Sequence, residues 1–199
     1  MFTVQELLSK RNKRDAFKNL QRKGEDKINS KSLKDFQDYW SMNEEMIQNR
    51  IINGTYEPDL IKVREIINGK GKRRSIVILS DRDRFICRLL SQKLNRYLDP
   101  LFLSCSFAFR ENKGIQTAVE QCKIYLQGGC KYVVNIDIKD FFDCIDHNRM
   151  NDLIDKLIED KAVNKLINTF ISCNIETDNH VVHKDKGLLQ GSSISPVLS

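Results

Sequence analysis

Residues 133–147 read "VVNIDIKDFFDCIDH" and space four aspartates three residues apart: Asp137, Asp140, Asp143 and Asp146. The stretch opens inside an apolar run. In "KYVVNIDI" (131–138), Val134, Ile136 and Ile138 share one face and Val133, Asn135 and Asp137 the other, a period that predicts a strand. Asp137 ends that strand, and open α/β sheets commonly place ligands at such C-terminal edges. Asp140 and Asp143 fall in the turn that follows. Asp146 precedes "HNRMNDLIDKLI" and suits a helix N-cap, whose side-chain oxygen accepts from orphan backbone N–H groups. Three of the four therefore have ordinary local explanations. Asp137 differs, because a carboxylate in a half-buried strand costs solvation free energy unless a cation or a donor compensates it. On the residues alone, a strand-end salt bridge explains it better than a metal ion does.

The acidic stretch sits in a basic chain. The 199 residues carry a net charge of +6, which suits a polyanionic partner without specifying one. Residues 60–96 hold eleven Lys/Arg against three Asp/Glu, and residues 137–160 hold three against eight. A basic flank facing an acidic centre is what a site handling nucleic acid with metal ions needs. The six cysteines (Cys87, Cys105, Cys122, Cys130, Cys144, Cys173) form no C-x-x-C pair, and the expected state is reduced core thiols in a cytoplasmic protein. "MFTVQELLSKRNKRD" turns charged too early for a signal peptide. No apolar run is long enough to span a membrane. His180 and His183 form H-x-x-H, but strand positions three apart face opposite ways, which argues against zinc.

Around the acidic stretch, the pattern predicts one or two short helices through Val4, Leu7, Leu8, Phe17 and Leu20. A polar loop at 22–32 leads to a helix through Leu33, Phe36, Trp40, Ile47 and Ile51, with Ser32 and Asp35 as a capping box. "LIKVREII" and "RSIVIL" read as strands joined by the basic tip "NGKGKR". Ser80 and Asp83 form a second capping box, opening a helix whose Arg82, Arg84 and Arg88 offer a face to nucleic acid or protein. Residues 115–127 predict a helix stopped by Gly128-Gly129. Further helices follow near 147–159 and 162–173, and a hairpin turns at Asp178-Asn179. A last helix begins in "GLLQGSSISPVLS", capped by Ser192 or Ser193, with Pro196 in its first turn.

These blocks together resemble the reverse transcriptases, most of all the bacterial group II intron-encoded lineage. "DIKDFF" resembles motif A, an aspartate followed by variable positions and aromatics, matched by Asp137, Phe141 and Phe142. "GKGKRRSIVILSDRDRFICRLL" resembles the fingers segment, and "FLSCSFAFRENKGIQTAV" the block that follows it. "GLLQGSSISPVLS" resembles motif B, with its Gln-Gly pair. Leu79, Ser75, Ala108 and Leu189 depart from the lineage's usual residues. The resemblance covers nearly the whole chain, with the blocks in the family's order.

It implies an α+β fold, the fingers and an incomplete palm of a right-hand polymerase, helix-rich with short antiparallel hairpins. Residues 1–58 would be a helical N-terminal extension, 59–130 the fingers and 131–199 a palm cut before its Tyr-x-Asp-Asp hairpin. It further implies two Mg²⁺ ions, or Mn²⁺ in their place, held by Asp137 and the carbonyl of Ile138. Arg74, with Lys72 or Lys70, would grip the triphosphate, and the backbone N–H groups of Asp140 and Phe141 would help. Phe142 would exclude a 2′-hydroxyl. Gln190 would lie over the nucleotide, with Gly191 permitting close backbone approach. The partners implied are an RNA template, a DNA primer, deoxynucleoside triphosphates and, for the intron-encoded lineage, intron RNA. Basic residues of the fingers and N-terminal region would track the template. No Tyr-x-Asp-Asp occurs in the chain, so the expectation is a parent that polymerises and a fragment that does not. The alternative is a non-catalytic RNA-binding or assembly module derived from such an enzyme, for example in phage defence. A cut palm would expose apolar surface and favour self-association.

Overall fold

The computed structural model describes residues 1–22, 33–67, 73–177 and 180–199. Helices α1 (Val4–Leu7), α2 (Lys10–Arg22) and α3 (Leu33–Ile52) precede a hairpin of β1 (Ile61–Ile67) and β2 (Arg73–Ile78). Then come α4 (Asp81–Leu98), a 3-10 turn at Asp99–Leu101, α5 (Ile115–Gln127), α6 (Phe141–Cys144), α7 (His147–Leu157) and α8 (Lys161–Ile171). A second hairpin, β3 (Asn174–Thr177) and β4 (His180–His183), leads to a last turn of helix, α9 (Ser195–Leu198). The four strands form one sheet in the order β2-β1-β3-β4, two antiparallel hairpins joined by parallel pairing of β1 with β3. The architecture is α+β, as expected.

α4 is the central post. Ser80 caps it, accepting from the Asp83 amide, and Phe85, Ile86, Leu89, Leu90 and Leu94 are fully buried along it. Phe17 of α2 and Trp40 of α3 each bring a ring centroid within 4.4 Å of that of Phe85. Polar locks fix the register. The Asn12 side chain donates to the carbonyls of Leu7 (2.7 Å) and Leu89 (3.2 Å), and Gln92 Nε2 donates to the Asn12 carbonyl at 2.6 Å. The Val4 amide donates to Asp160 Oδ2 at 2.8 Å, and the Tyr97 hydroxyl donates to the carbonyl of Leu157 at 2.8 Å. These two bonds tie the N-terminal helices and α4 to the α7–α8 layer.

A second lock joins the sheet to α4. The buried Asp83 accepts from Tyr56 Oη, from the Asp59 amide at 2.9 Å and from Ser80 Oγ at 2.8 Å. Burial raises the pKa of both Asp83 and Tyr56. Arg82 folds over the Tyr56 ring and donates to Asp59 Oδ1 at 2.8 Å. The expected open arginine face is therefore partly spent inside the molecule, since Arg84 also lies 3.7 Å from Asp81.

Three further expectations are corrected. Residues 131–138 form no strand, and Tyr132, Val134 and Ile136 are at least 80% exposed. A strand exists only by pairing its backbone with another, and the described sheet pairs β2 to β1 to β3 to β4 without this segment. Of the cysteines, only Cys87 and Cys173 are buried, the latter with its thiol pushed up to about 11 by burial, and the other four are exposed. The last helix is capped by Ile194 without a side-chain bond, not by Ser192 or Ser193. Ser32, the tip at 68–72 and the turn at 178–179 lie outside the described residues.

Candidate active-site cleft

The turn at 187–191 is the hub of the site. Gly187 has φ +74, and a Cβ there would lie 2.7 Å from the carbonyl oxygen of Phe142 and 2.8 Å from Asp143 Cα. Glycine is therefore required by both conformation and space. Its amide donates to the carbonyl of Ile145 at 2.7 Å, and the Leu188 amide donates to that of Phe142 at 2.7 Å. His147 Nε2, buried, lies 2.8 Å from the Gly187 carbonyl. On the other side of the turn, the Val77 amide of β2 donates to the Gln190 carbonyl at 2.9 Å. Gly191 has φ +101 and would press a Cβ to 2.7 Å from Ile76 Cγ2. Ser195 Oγ donates to the Leu189 carbonyl at 2.7 Å, and Leu188 and Leu189 are buried in the core shared with α4. The turn thus ties the β1–β2 hairpin, the aspartate-rich turn and the central helix together.

Between these walls lies an open cleft of about 900 Å³, lined by Ser75 and Val77 of β2, Asp140 to Asp143, Thr177, Lys184 and the Gln190-Gly191 turn. Asp140 caps α6 from the left-handed region, φ 50. Asn and Asp tolerate that conformation better than most residues. The rings of Phe141 and Phe142 meet edge to face with centroids 6.0 Å apart, and Phe142 backs onto the core. Gln190 Nε2 donates to both oxygens of Asp143, at 3.3 and 3.1 Å.

Of the residues singled out in the sequence, Asp140, Phe141, Phe142, Gln190 and Gly191 share this cleft. Arg74 lies on β2, paired with Ile66 and adjacent to the lining residue Ser75. Lys72 and Lys70 lie outside the described residues. Asp137 and Ile138 do not line the cleft; both are exposed in the unpaired segment leading into Asp140. Sequence reasoning missed Asp143 as the partner of Gln190, having read it as a turn residue. It also missed Lys184 and Thr177, which no local motif marks and which only strand pairing brings to the cleft.

Carboxylate and carbonyl oxygens are the hard ligands that Mg²⁺ takes, so Asp137 and the Ile138 carbonyl fit in type. They fall short in number: among the described residues no three His, Cys, Asp or Glu side chains converge. Also among the described residues, no helix is long and apolar enough to cross a membrane.

Comparison with known proteins shows the family. The family model described as reverse transcriptase (RNA-dependent DNA polymerase) matches residues 62–199. The group II intron-encoded protein LtrA of Lactococcus lactis subsp. cremoris is 31% identical over 149 residues, 74% of this chain and 24% of LtrA. An uncharacterised 91 kDa protein in the cob intron of Schizosaccharomyces pombe is 29% identical over 134 residues, 67% of this chain and 16% of that protein. The chain thus spans about a quarter or less of these relatives. A chain of a partial Cas6-RT-Cas1–Cas2 complex superposes with a TM-score of 0.64 at 19% identity, covering 98% of this chain and 32% of that one. That likeness is one of fold.

Proposed function

Because the chain belongs to the reverse transcriptase family, we propose that it forms the fingers and first palm elements of an RNA-directed DNA polymerase, with the cleft as its nucleotide site. The supporting observation is that one turn, 187–191, brings Gln190, Phe142 and Asp140 to a common cleft beside the Arg74 strand.

In this reading Phe142, braced on the core, meets the sugar, and its ring takes the space of a 2′-hydroxyl. Asp143 orients the Gln190 amide against the nucleotide. Arg74 supplies a guanidinium fork suited to phosphate oxygens, with Lys72 from the hairpin tip. The backbone amides at Asp140 and Phe141 add donors to the triphosphate. Mg²⁺, when bound at Asp137 and the Ile138 carbonyl, would activate the attacking 3′-hydroxyl and stabilise the leaving oxygen. One such carboxylate is too few for two ions, so these 199 residues do not polymerise alone. The partners are an RNA template, a DNA primer and deoxynucleoside triphosphates.

The test is primer extension on an RNA template with Mg²⁺. These 199 residues alone yield no product, and appreciable synthesis by them would overturn the inactivity. In the parent open reading frame, Asp137→Asn abolishes synthesis while sparing RNA binding, and Phe142→Ala admits ribonucleotides. Unchanged sugar selection in that variant would remove the steric role from Phe142.

A second reading is a non-catalytic RNA-binding or assembly module. It is favoured by one observation, that Asp137 is exposed and outside the cleft. A parent reading frame that lacks Tyr-x-Asp-Asp would decide for it.

A further inference from the structure

We infer that His147, which does not line the cleft, is its positioning residue: the bond it makes to Gly187 sets where the 187–191 turn carries Gln190. Asp146 caps α7 by accepting from the Arg149 amide at 2.9 Å, and it pairs as an isolated bridge with Lys186. His147 is thereby placed beside the start of the turn. The residue is buried, and its Nε2 lies 2.8 Å from the Gly187 carbonyl. A carbonyl oxygen only accepts, so Nε2 carries the proton. His147 acts here as a donor, not as a base.

Gly187 is held at both of its polar backbone groups. Its amide donates to the Ile145 carbonyl at 2.7 Å, and its carbonyl accepts from His147. The Leu188 amide donates to the Phe142 carbonyl at 2.7 Å. Among the described residues, the bond from His147 is the only one that a side chain makes to Gly187 or Leu188. Further along the turn, the Gln190 carbonyl accepts from Val77, and Gln190 Nε2 reaches both Asp143 oxygens at 3.3 and 3.1 Å. Asp143 directly follows Phe142 in the chain, so a shift of the turn against this segment changes the Gln190–Asp143 contact. Gly187 is buried. Removing the donor leaves a buried acceptor unmet, which is costly, and the carbonyl relaxes by turning away and taking Gln190 with it. That Gln190 meets a nucleotide rests on the function proposed above; the hold of His147 on the turn does not.

Conservative variants separate the donated bond from simple packing. The amide nitrogen of glutamine lies as many bonds from Cβ as the ring Nε2 does, whereas that of asparagine lies one bond nearer. The first readout is amide hydrogen exchange in the 199-residue chain. His147→Leu keeps an apolar side chain without a donor. It should speed exchange at the Leu188 and Val77 amides about tenfold, relative to the amides of α3. His147→Asn should do the same, and His147→Gln should restore most of the protection. Nitrogen NMR of the ring should show a protonated Nε2. The second readout is a dTTP titration followed at the Gln190 side-chain amide resonance. His147→Leu should weaken binding about tenfold, and His147→Gln should not. Unchanged protection in His147→Leu would overturn the proposal. So would a glutamine variant as loose as the leucine one, a ring with a bare Nε2, or dTTP binding unaltered by a loosened turn. If Gln190 of the unsubstituted chain ignores dTTP while the exchange pattern holds, the nucleotide leaves the cleft and the hold of His147 on the turn stands.

Discussion

α4 and α5 are both amphipathic helices of ordinary length, yet they have opposite fates. α4 buries ten residues along its length, whereas α5 buries none and leaves Ile115, Ile124, Tyr125 and Leu126 more than half exposed. The segment that follows α5 shares its exposure, with Ile138 still 66% exposed. A periodic apolar face states that a helix or strand needs cover, but not which element covers it. For α4 the cover comes from α1, α2, α3 and α9 within the chain. For α5 and residues 131–138 no described element supplies it.

This contrast can be tested by mutation. The largest effect is expected at the meeting point of α2, α3 and α4. Phe85→Ala removes a ring packed against Phe17, Phe36 and Trp40 and should cost about 3–5 kcal/mol in urea unfolding. Next comes the hub turn. Gly187→Ala forces a Cβ onto the backbone at Phe142 and Asp143 from a positive φ and should cost about 1–3 kcal/mol, with the tie between turn and aspartates loosened in hydrogen exchange. A smaller effect should appear as a pH slope. Burial holds the Asp83 carboxyl above its ordinary value, so the folded state binds its proton more tightly than the unfolded state does. Stability should therefore fall as pH rises from the ordinary carboxylate value through the raised one. Asp83→Asn should remove that slope in pH-resolved unfolding. The smallest effect belongs to α5. Ile124→Ser should stay within about 0.5 kcal/mol of the parent chain. A loss comparable with that of Phe85→Ala would show that α5 is covered after all and break the comparison.

The same contrast explains what could be read in advance. Helix starts were legible where the signal is local: Ser80 before Asp83, and Asp146 accepting from the Arg149 amide at 2.9 Å. The first hairpin was legible from its paired β-rich runs, and the second was expected from a turn at Asp178-Asn179 that lies outside the described residues. The strand at 131–138 was not, because alternation records a preference for pairing while the pairing itself depends on a partner elsewhere. Among the residues lining the cleft, Gln190, Gly191 and the Asp140–Phe142 block were singled out by the family motifs they resemble. Asp143, Lys184 and Gly187 were not, since their roles arise from contacts across some forty residues of chain, as between Gly187 and His147.

The Val77–Gln190 and Leu188–Phe142 backbone bonds run in series through one tight turn. A push on either wall of the cleft is therefore transmitted to the other, and the three segments behave as a stiff frame. The approach from Cys130 to Ile138 is exposed and joins no strand of the described sheet, and it sets where Asp137 stands relative to that frame. In mechanical terms the chain holds the cleft walls in one frame and brings Asp137 towards it on a segment without strand pairing.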